Sequence, residues 1–315
     1  MLEIFLLLFG LILLVLGAHY LVKGSSKLAK KFGVSSLVVG LSIVAIGTSL
    51  PELFVNIFAS ASNHPDISLG NILGSNIVNL LLILGISIII LGTLKVSKST
   101  IKYEVPFALF IIVVLLMFSS TIFSVKPILG ILAGSIFLVL FIVFVYYLYT
   151  QLKISKVIPE AEFKNYSMIN IIFMILGGCV LMYFGGEWTV KGAVFIARSF
   201  SISEFLISAT IVALGTSLPE FATSIIAIRK GEIDISVGNI IGSNIINIAF
   251  ILGISALISP IPILGYVLFD ILFLFGGTCL LLFFVLYKRR YLLERWQGIV
   301  FVALYVIYIL FLILR

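Results

Sequence analysis

The sequence predicts an all-α polytopic membrane protein: ten transmembrane helices arranged as two inverted five-helix repeats, with discontinuous helices at the membrane midplane. Three observations lead there, namely composition, the placement of basic residues and an internal repeat. Of 315 residues, 62% are apolar and 10% charged, against roughly 45–50% and about 25% in soluble globular domains. No water-soluble core hides that much apolar surface, so a soluble enzyme is excluded. A membrane helix takes ~20 apolar residues, and ten of them would use roughly 200. Cys179 and Cys279 are the only cysteines and both lie in apolar runs, which removes a disulfide scaffold.

The apolar runs place spans near 3–22, 34–62, 67–92, 104–123, 127–150, 168–190, 203–228, 234–258, 263–287 and 292–314. With loops alternating between sides, 16 of the 20 Lys and Arg fall on one side, Lys23, Lys27, Lys30, Lys31, Lys95 and Lys102 among them; Lys126, Lys191, Arg198 and Arg315 fall on the other. Basic loops stay cytoplasmic, so both termini are expected outside the cytoplasm, in a cell-membrane protein. Topology thereby accounts for the net charge of +7 without nucleic-acid binding. Met1 to Ile4 lack a basic n-region, so the first span is expected to be retained rather than cleaved as a signal peptide. The polar stretch Gln151–Ser167, with Pro159 among five charges, reads as a cytoplasmic linker (151–167) between halves 1–150 and 168–315.

Residues 40–87 align with 208–255 at a constant offset of 168 without a gap, with 27 identities in 48 positions. Each half holds five predicted spans. An odd number makes the second half enter the bilayer from the opposite side, the inverted-repeat plan of many secondary transporters, whose sites lie at the midplane between the halves. The matched blocks are also the most polar intramembrane segments of the chain, which duplication for packing alone does not explain.

The sharpest repeated motif is GTSLPE, at Gly47–Glu52 and Gly215–Glu220. Proline lacks an N–H and clashes with the carbonyl four residues back, so Pro51 frees the Gly47 carbonyl and Pro219 that of Gly215. The carbonyls of Ala45 and Ala213 are expected to loosen as well. Glu52 and Glu220 are acids inside apolar spans, where an ionisable group costs several kcal/mol and by default marks a functional site. Thr48 and Ser49 precede Glu52 by four and three residues, on the same helix face, and Thr216 and Ser217 stand likewise to Glu220. A second repeated block places Asn71, Ser75 and Asn79 along one face, and Asn239, Ser243 and Asn247 repeat it. Asn79 and Asn247 are its stronger ligand candidates. The interleaved Gly70/Gly74 and Gly238/Gly242 pairs suit close helix packing, and Asp66 and Asp234 are expected to cap helices.

Carboxylates, hydroxyls, amides and carbonyls are all hard oxygen donors. Calcium takes 6–8 such oxygens in flexible geometry, and two glutamates match its charge. The same oxygens can instead be divided among several sodium ions, and sharing them makes the two loads mutually exclusive. Zinc and copper are disfavoured, because His19 and His64 stand alone without a Cys/His cluster.

GTSLPE twice, each followed by GNxxGSNxxN, resembles the alpha repeats of the sodium/calcium exchangers within the cation/calcium antiporter superfamily. The resemblance covers the two motif-bearing stretches and fits the ten-span plan. It implies ion sites formed by Glu52, Glu220, Thr48, Ser49, Thr216, Ser217, Ser75, Ser243, Asn79 and Asn247, with backbone oxygens from Ala45 and Ala213. It also implies that spans 1 and 6 slide against the other eight, exchanging three Na⁺ for each Ca²⁺ with net charge movement. Some relatives, potassium-dependent ones included, carry aspartate where this chain has Asn247, so no potassium requirement is expected. The linker is too short for the large cytoplasmic regulatory domain of animal exchangers, so calcium regulation through one is not expected.

On this reading Na⁺ and Ca²⁺ are substrates, the bilayer is the only partner, and neither a cofactor nor an obligate protein partner is expected. The closest alternative is a Ca²⁺/H⁺ antiporter using the same two glutamates. A passive cation channel is disfavoured by the inverted repeats. An intramembrane hydrolase with Ser49 or Ser217 as nucleophile lacks a neighbouring His or Lys base.

Overall fold

The computed structural model describes residues 2–61, 65–120, 127–154, 167–199, 210, 213–263, 265, 267–287 and 291–314. Outside them lie His64, Lys126, most of the expected linker, the basic residues at 288–290, Arg315 and the opening of the expected seventh span.

The described chain is helical almost throughout. Helix α1 is Leu2–Phe32, α2 is Ser36–Thr48 and α3 is Leu50–Ala61. Helix α4 runs from Pro65–Ile77 through a π turn at Val78–Ile83 to Leu84–Leu91. Helix α5 is Thr100–Ser119, α6 is Ile131–Ile154 and α7 is Met168–Ser199. The short α8 (Ala213–Thr216) and α9 (Leu218–Arg229) precede α10 (Ile233–Ile258), α11 (Val267–Leu286) and α12 (Arg295–Leu314). Among the described residues eight helices are long and apolar enough to cross a membrane, and α2 with α3 forms a ninth crossing bent by 43°. Helices α8 and α9 occupy the repeat-equivalent position at the offset of 168.

Two boundaries differ from the sequence expectation. The first span was expected to end at 22, leaving four lysines in a loop; instead α1 continues to Phe32 and carries them on its last turns. Lys, Leu and Ala are good helix formers, and Ser25 and Ala29 in that extension are buried. The helix stops at Gly33, whose φ of 63° is left-handed, with Val34 N–H donating to Ala29 O at 2.9 Å. The same six-to-one closure ends α9, at Gly231 (φ 76°), with Glu232 N–H donating to Ala227 O at 2.9 Å. The fourth span was expected from 104, but a π turn at Thr100–Glu104 opens it and puts Glu104 inside the helix.

Among the described residues four short strands join the halves. β1 (Thr93–Lys95) pairs antiparallel with β4 (Leu292–Glu294), and β2 (Ile128–Leu129) with β3 (Ile261–Pro262). The first pair ties the loop after α4 to the loop before α12, and the second ties the loop before α6 to the loop after α10. Each pair needs its two loops on one side of the bilayer, which an even number of crossings between them satisfies. Exchanging the repeats exchanges the pairs.

Helices α4 and α10 lie at the centre, each 83% buried, while the other long spans are 22–47% buried. The chain thus encloses most completely the two helices that carry the repeated serines and asparagines. The glycines of α10 permit this: a Cβ on Gly238 would stand 2.7 Å from Leu37 O, and one on Gly242 would stand 2.9 Å from Leu41 Cα. Helices α1 and α7 pack antiparallel along a seam in which Gly17 meets Gly178 and Gly185 meets Gly10 O.

Asp234 does not cap α10. The cap residue is Glu232, and its carboxylate is held from across the molecule. Ser26 Oγ donates to Oε1 at 2.5 Å, Ser36 Oγ donates to Oε2 at 3.2 Å, and Lys30 Nζ lies 3.9 Å from Oε1.

Candidate ion-binding site

The site is built where two helices break. Ser49 (φ −83°, ψ 8°) and Ser217 (φ −84°, ψ 1°) leave helical geometry for the bridge region. The next residues restart the chain as α3 and α9, with Pro51 and Pro219 in their first turns, where a missing N–H costs nothing. Glu52 and Glu220 therefore sit in the first turn of a half-helix, whose N-terminal end favours negative charge. The preceding half-helix ends at the same point, its C-terminal carbonyls favouring a cation. In the first repeat the sequence thereby aims both dipoles of the broken helix at one spot in the middle of the bundle.

Both glutamates are fully buried, as are Thr48 and Ser75 and the asparagines 71, 79, 239 and 247. Their partners cross between repeats. Ser49 Oγ donates to Glu220 Oε1 at 3.0 Å, and Ser217 Oγ donates to Glu52 Oε1 at 3.4 Å. Ser243 Oγ also donates to Glu220 Oε1, at 3.2 Å. Thr48 Oγ1 donates to Asn239 Oδ1 at 2.9 Å and Thr216 Oγ1 to Asn71 Oδ1 at 3.1 Å. The Thr48 and Ser243 hydroxyls lie 3.4 Å apart, and those of Ser75 and Thr216 3.3 Å. Each acid is thus bound by the other repeat's serine, which brings the two broken segments together.

The Ala45 and Ala213 carbonyls are more tightly held than the sequence suggests. Ala45 O accepts from Ser49 N–H at 3.0 Å and from Thr48 Oγ1 at 3.2 Å; Ala213 O accepts from Ser217 N–H and Thr216 Oγ1, both at 3.2 Å. The break falls at Ser49 and Ser217, four residues beyond them, whose N–H groups still reach back, so the ordinary helical bond survives there.

Several buried oxygens have no hydrogen-bond partner among the described residues: Glu52 Oε2, Glu220 Oε2, Asn79 Oδ1 and Asn247 Oδ1, with Asn244 Oδ1 beside them. A buried polar atom left unsatisfied costs about 1–3 kcal/mol, more when charged. Two carboxylates and two amides in that condition are a donor set suited to a hard cation. Among the described residues no cluster of three His, Cys, Asp or Glu side chains occurs, so the neutral oxygens are needed to complete any coordination shell.

The sequence reading passed over three groups. Asn76 and Asn244 lie one residue off the polar stripe, yet each donates through Nδ2 to the other's backbone carbonyl at 3.2 Å, locking α4 to α10. Their identity within the repeat was the available signal. Asn56, replaced by Ser224 in the second half, donates to Glu52 O at 2.6 Å and accepts from Ser68 Oγ at 2.6 Å. Asn239 Nδ2 takes the corresponding place at Glu220 O, at 3.4 Å. Glu104 is a further buried acid, hydrogen-bonded by the Tyr147 hydroxyl. The repeats are also unequal at the asparagines: Asn247 Nδ2 donates to Asn76 Oδ1 at 2.9 Å, while both Asn79 amide atoms have no partner among the described residues.

Ten helices in inverted repeats, with paired acids at two helix breaks, define a cation/calcium antiporter. The chain belongs to the sodium/calcium exchanger protein family, whose model matches residues 2–150 and 170–314. It is 36% identical to the inner membrane protein YrbG of Escherichia coli over 225 residues, 68% of this chain and 66% of that one. It is 32% identical to the sodium/calcium exchanger MaX1 of Methanosarcina acetivorans over 298 residues, 83% and 84% of the two chains. A solved structure of the sodium-calcium exchanger NCX_Mj superimposes with a TM-score of 0.81 at 33% identity, covering 98% of this chain and 97% of that one. The ten-helix inverted-repeat fold and the multi-pass membrane location follow from these matches.

Proposed function

We propose that this antiporter exchanges Na⁺ for Ca²⁺ across the cell membrane by alternating access, three Na⁺ for each Ca²⁺, and is therefore electrogenic. Calcium would be shared by Glu52 and Glu220, with Thr48, Ser49, Thr216, Ser217, Ser75, Ser243, Asn79 and Asn247 completing the sites for both ions. The Ala45 carbonyl, already accepting two bonds, and the Ala213 carbonyl, accepting a third from Ser75 Oγ at 3.5 Å, would contribute only if these side-chain hydroxyls turn away. The observation that carries the reading is the set of buried, unpartnered oxygens on Glu52, Glu220, Asn79 and Asn247, more donors than proton exchange requires. Two carboxylates cannot serve both loads at once, and that exclusion is the physical basis of coupling.

Alternating access is supported by the glycine seam between α1 and α7. Gly17 lies against Gly178 O and Gly185 against Gly10 O, at 2.7–2.8 Å from where a Cβ would stand, so the two helices are packed closely enough to move as one body. The halves 1–150 and 168–315 would be the two repeats, 151–167 the cytoplasmic linker, and both termini extracytoplasmic. The neutral amide of Asn247 leaves the site without a third charge, and no potassium requirement follows.

The test is ⁴⁵Ca²⁺ uptake into reconstituted liposomes under separately imposed Na⁺, K⁺ and pH gradients. A Na⁺ gradient should drive uptake, accelerated by a membrane potential of the appropriate sign. Uptake that followed the pH gradient and ignored sodium would establish Ca²⁺/H⁺ exchange instead.

A further inference from the structure

A further buried acid stands apart from Glu52 and Glu220, in the groove between α5 and α6. Glu104 is 1% exposed; one carboxylate oxygen accepts from the Tyr147 hydroxyl, while Oε2 has no partner among the described residues. The π turn at Thr100–Glu104 sets this side chain into a cavity of about 370 Å³ lined by Lys102, Tyr103, Glu104, Phe107, Phe144 and Tyr147. The rings form a continuous wall: Phe107 to Phe144 at 5.8 Å, Phe144 to Tyr147 at 6.4 Å and Tyr103 to Tyr147 at 5.9 Å between centroids. Lys102 Nζ stands 5.1 Å from the Tyr103 ring centre at the rim.

The cavity is far larger than a metal ion and offers one negative charge, so it is not a second exchange site. An unpartnered carboxylate oxygen among aromatic faces suits an ammonium group, which donates hydrogen bonds to the acid while the rings attract its charge. The Lys102 ammonium at the rim suits a phosphate. A buried acid and a lysine lining one cavity match a zwitterion. Deeper along the same faces, one helical turn beyond Phe107 and Val143, lie Phe110 and Val139, 52% and 58% exposed, an apolar track for an acyl chain.

We propose that this groove binds an amino-phospholipid, its primary ammonium donating to Glu104 Oε2 against Tyr103 and Tyr147 and its phosphate meeting Lys102. A quaternary head group has no N–H to satisfy Glu104, and an anionic glycerol head group has no cation to offer. Phosphatidylethanolamine is therefore preferred to phosphatidylcholine and phosphatidylglycerol.

The test is native mass spectrometry of the delipidated full chain in detergent, titrated with each of these three lipids and with soluble phosphoethanolamine. One phosphatidylethanolamine should be retained, about tenfold more tightly than the other two lipids. Glu104→Gln should abolish that preference, and Lys102→Gln should weaken binding of all three lipids, which share the phosphate, to a similar degree. Equal retention of the three lipids, an unchanged preference in Glu104→Gln, or soluble phosphoethanolamine binding as tightly as the lipid would overturn the proposal. Should Glu104→Gln fail to fold, Lys102→Gln and Tyr103→Leu, both at exposed positions, decide it: phosphatidylethanolamine affinity unchanged in both rejects the site.

Discussion

Replacing Glu52 with glutamine tests the ion site with two readouts that move in opposite directions. In calcium- and sodium-free buffer the wild-type chain carries Glu52 Oε2 buried and unpartnered. The isosteric amide removes a buried charge, so the variant should unfold at the same or a higher temperature. With calcium present the order reverses. A ligand at a hundred times its Kd stabilises the folded state by about 2.7 kcal/mol. Breaking one member of a buried charge pair costs about 3–5 kcal/mol, which raises Kd at least a hundredfold. At the same calcium concentration the variant should gain less than about 0.4 kcal/mol. The assay is thermal unfolding in detergent, with chelator and with calcium, paired with ⁴⁵Ca²⁺ flux in liposomes, where exchange should fall below about 1% of wild type. The ligand assignment fails if Glu52→Gln keeps the full calcium-induced shift or exchanges at an undiminished rate. Glu220→Gln should behave alike, because Ser49 and Ser217 hold the two acids in equivalent ways.

Three further outcomes follow from the inequality of the repeats and from the packing. Asn76→Ala removes the donor to Asn244 O and the acceptor of Asn247 Nδ2, whereas Asn244→Ala removes one bond. At about 1–3 kcal/mol for each buried group left unsatisfied, denaturant unfolding should show the first variant losing roughly twice as much stability, and equal losses would contradict the asymmetry. Gly238→Ala places a Cβ 2.7 Å from Leu37 O, while Gly70, its repeat equivalent, has nothing within 4 Å among the described residues; the former should cost about 1–3 kcal/mol and weaken calcium binding, with Gly70→Ala neutral in the same assays. Glu232→Ala releases Ser26, Ser36 and Lys30 together, so amide hydrogen exchange should quicken over residues 24–36 and remain unchanged in α4.

Composition and periodicity determined by themselves that the chain crosses a membrane many times, because apolar transfer acts residue by residue and needs no partner. The offset of 168 likewise exposed the duplication, and proline chemistry placed the helix breaks beside Glu52 and Glu220. Local pattern reached no further where a contact depends on how helices rotate and cross. That Ser49 serves Glu220 rather than its own Glu52, across 171 residues, is decided by the crossing of α2 and α9 at the bundle centre. The closure of Asn76 on Asn244, the unequal partners of Asn79 and Asn247, and the hold on the Ala45 carbonyl arise in the same way. Helix ends escaped the sequence for a related reason: Lys23–Lys31 reads as a basic loop until Ser25 and Ala29 are seen to be buried against neighbouring helices. Glu104 read as the edge of a span until the π turn put it one turn inside. Hydrophobicity is a property of each residue and can be read along a string, whereas a hydrogen bond belongs to two groups and exists only once packing has brought them within about 3 Å.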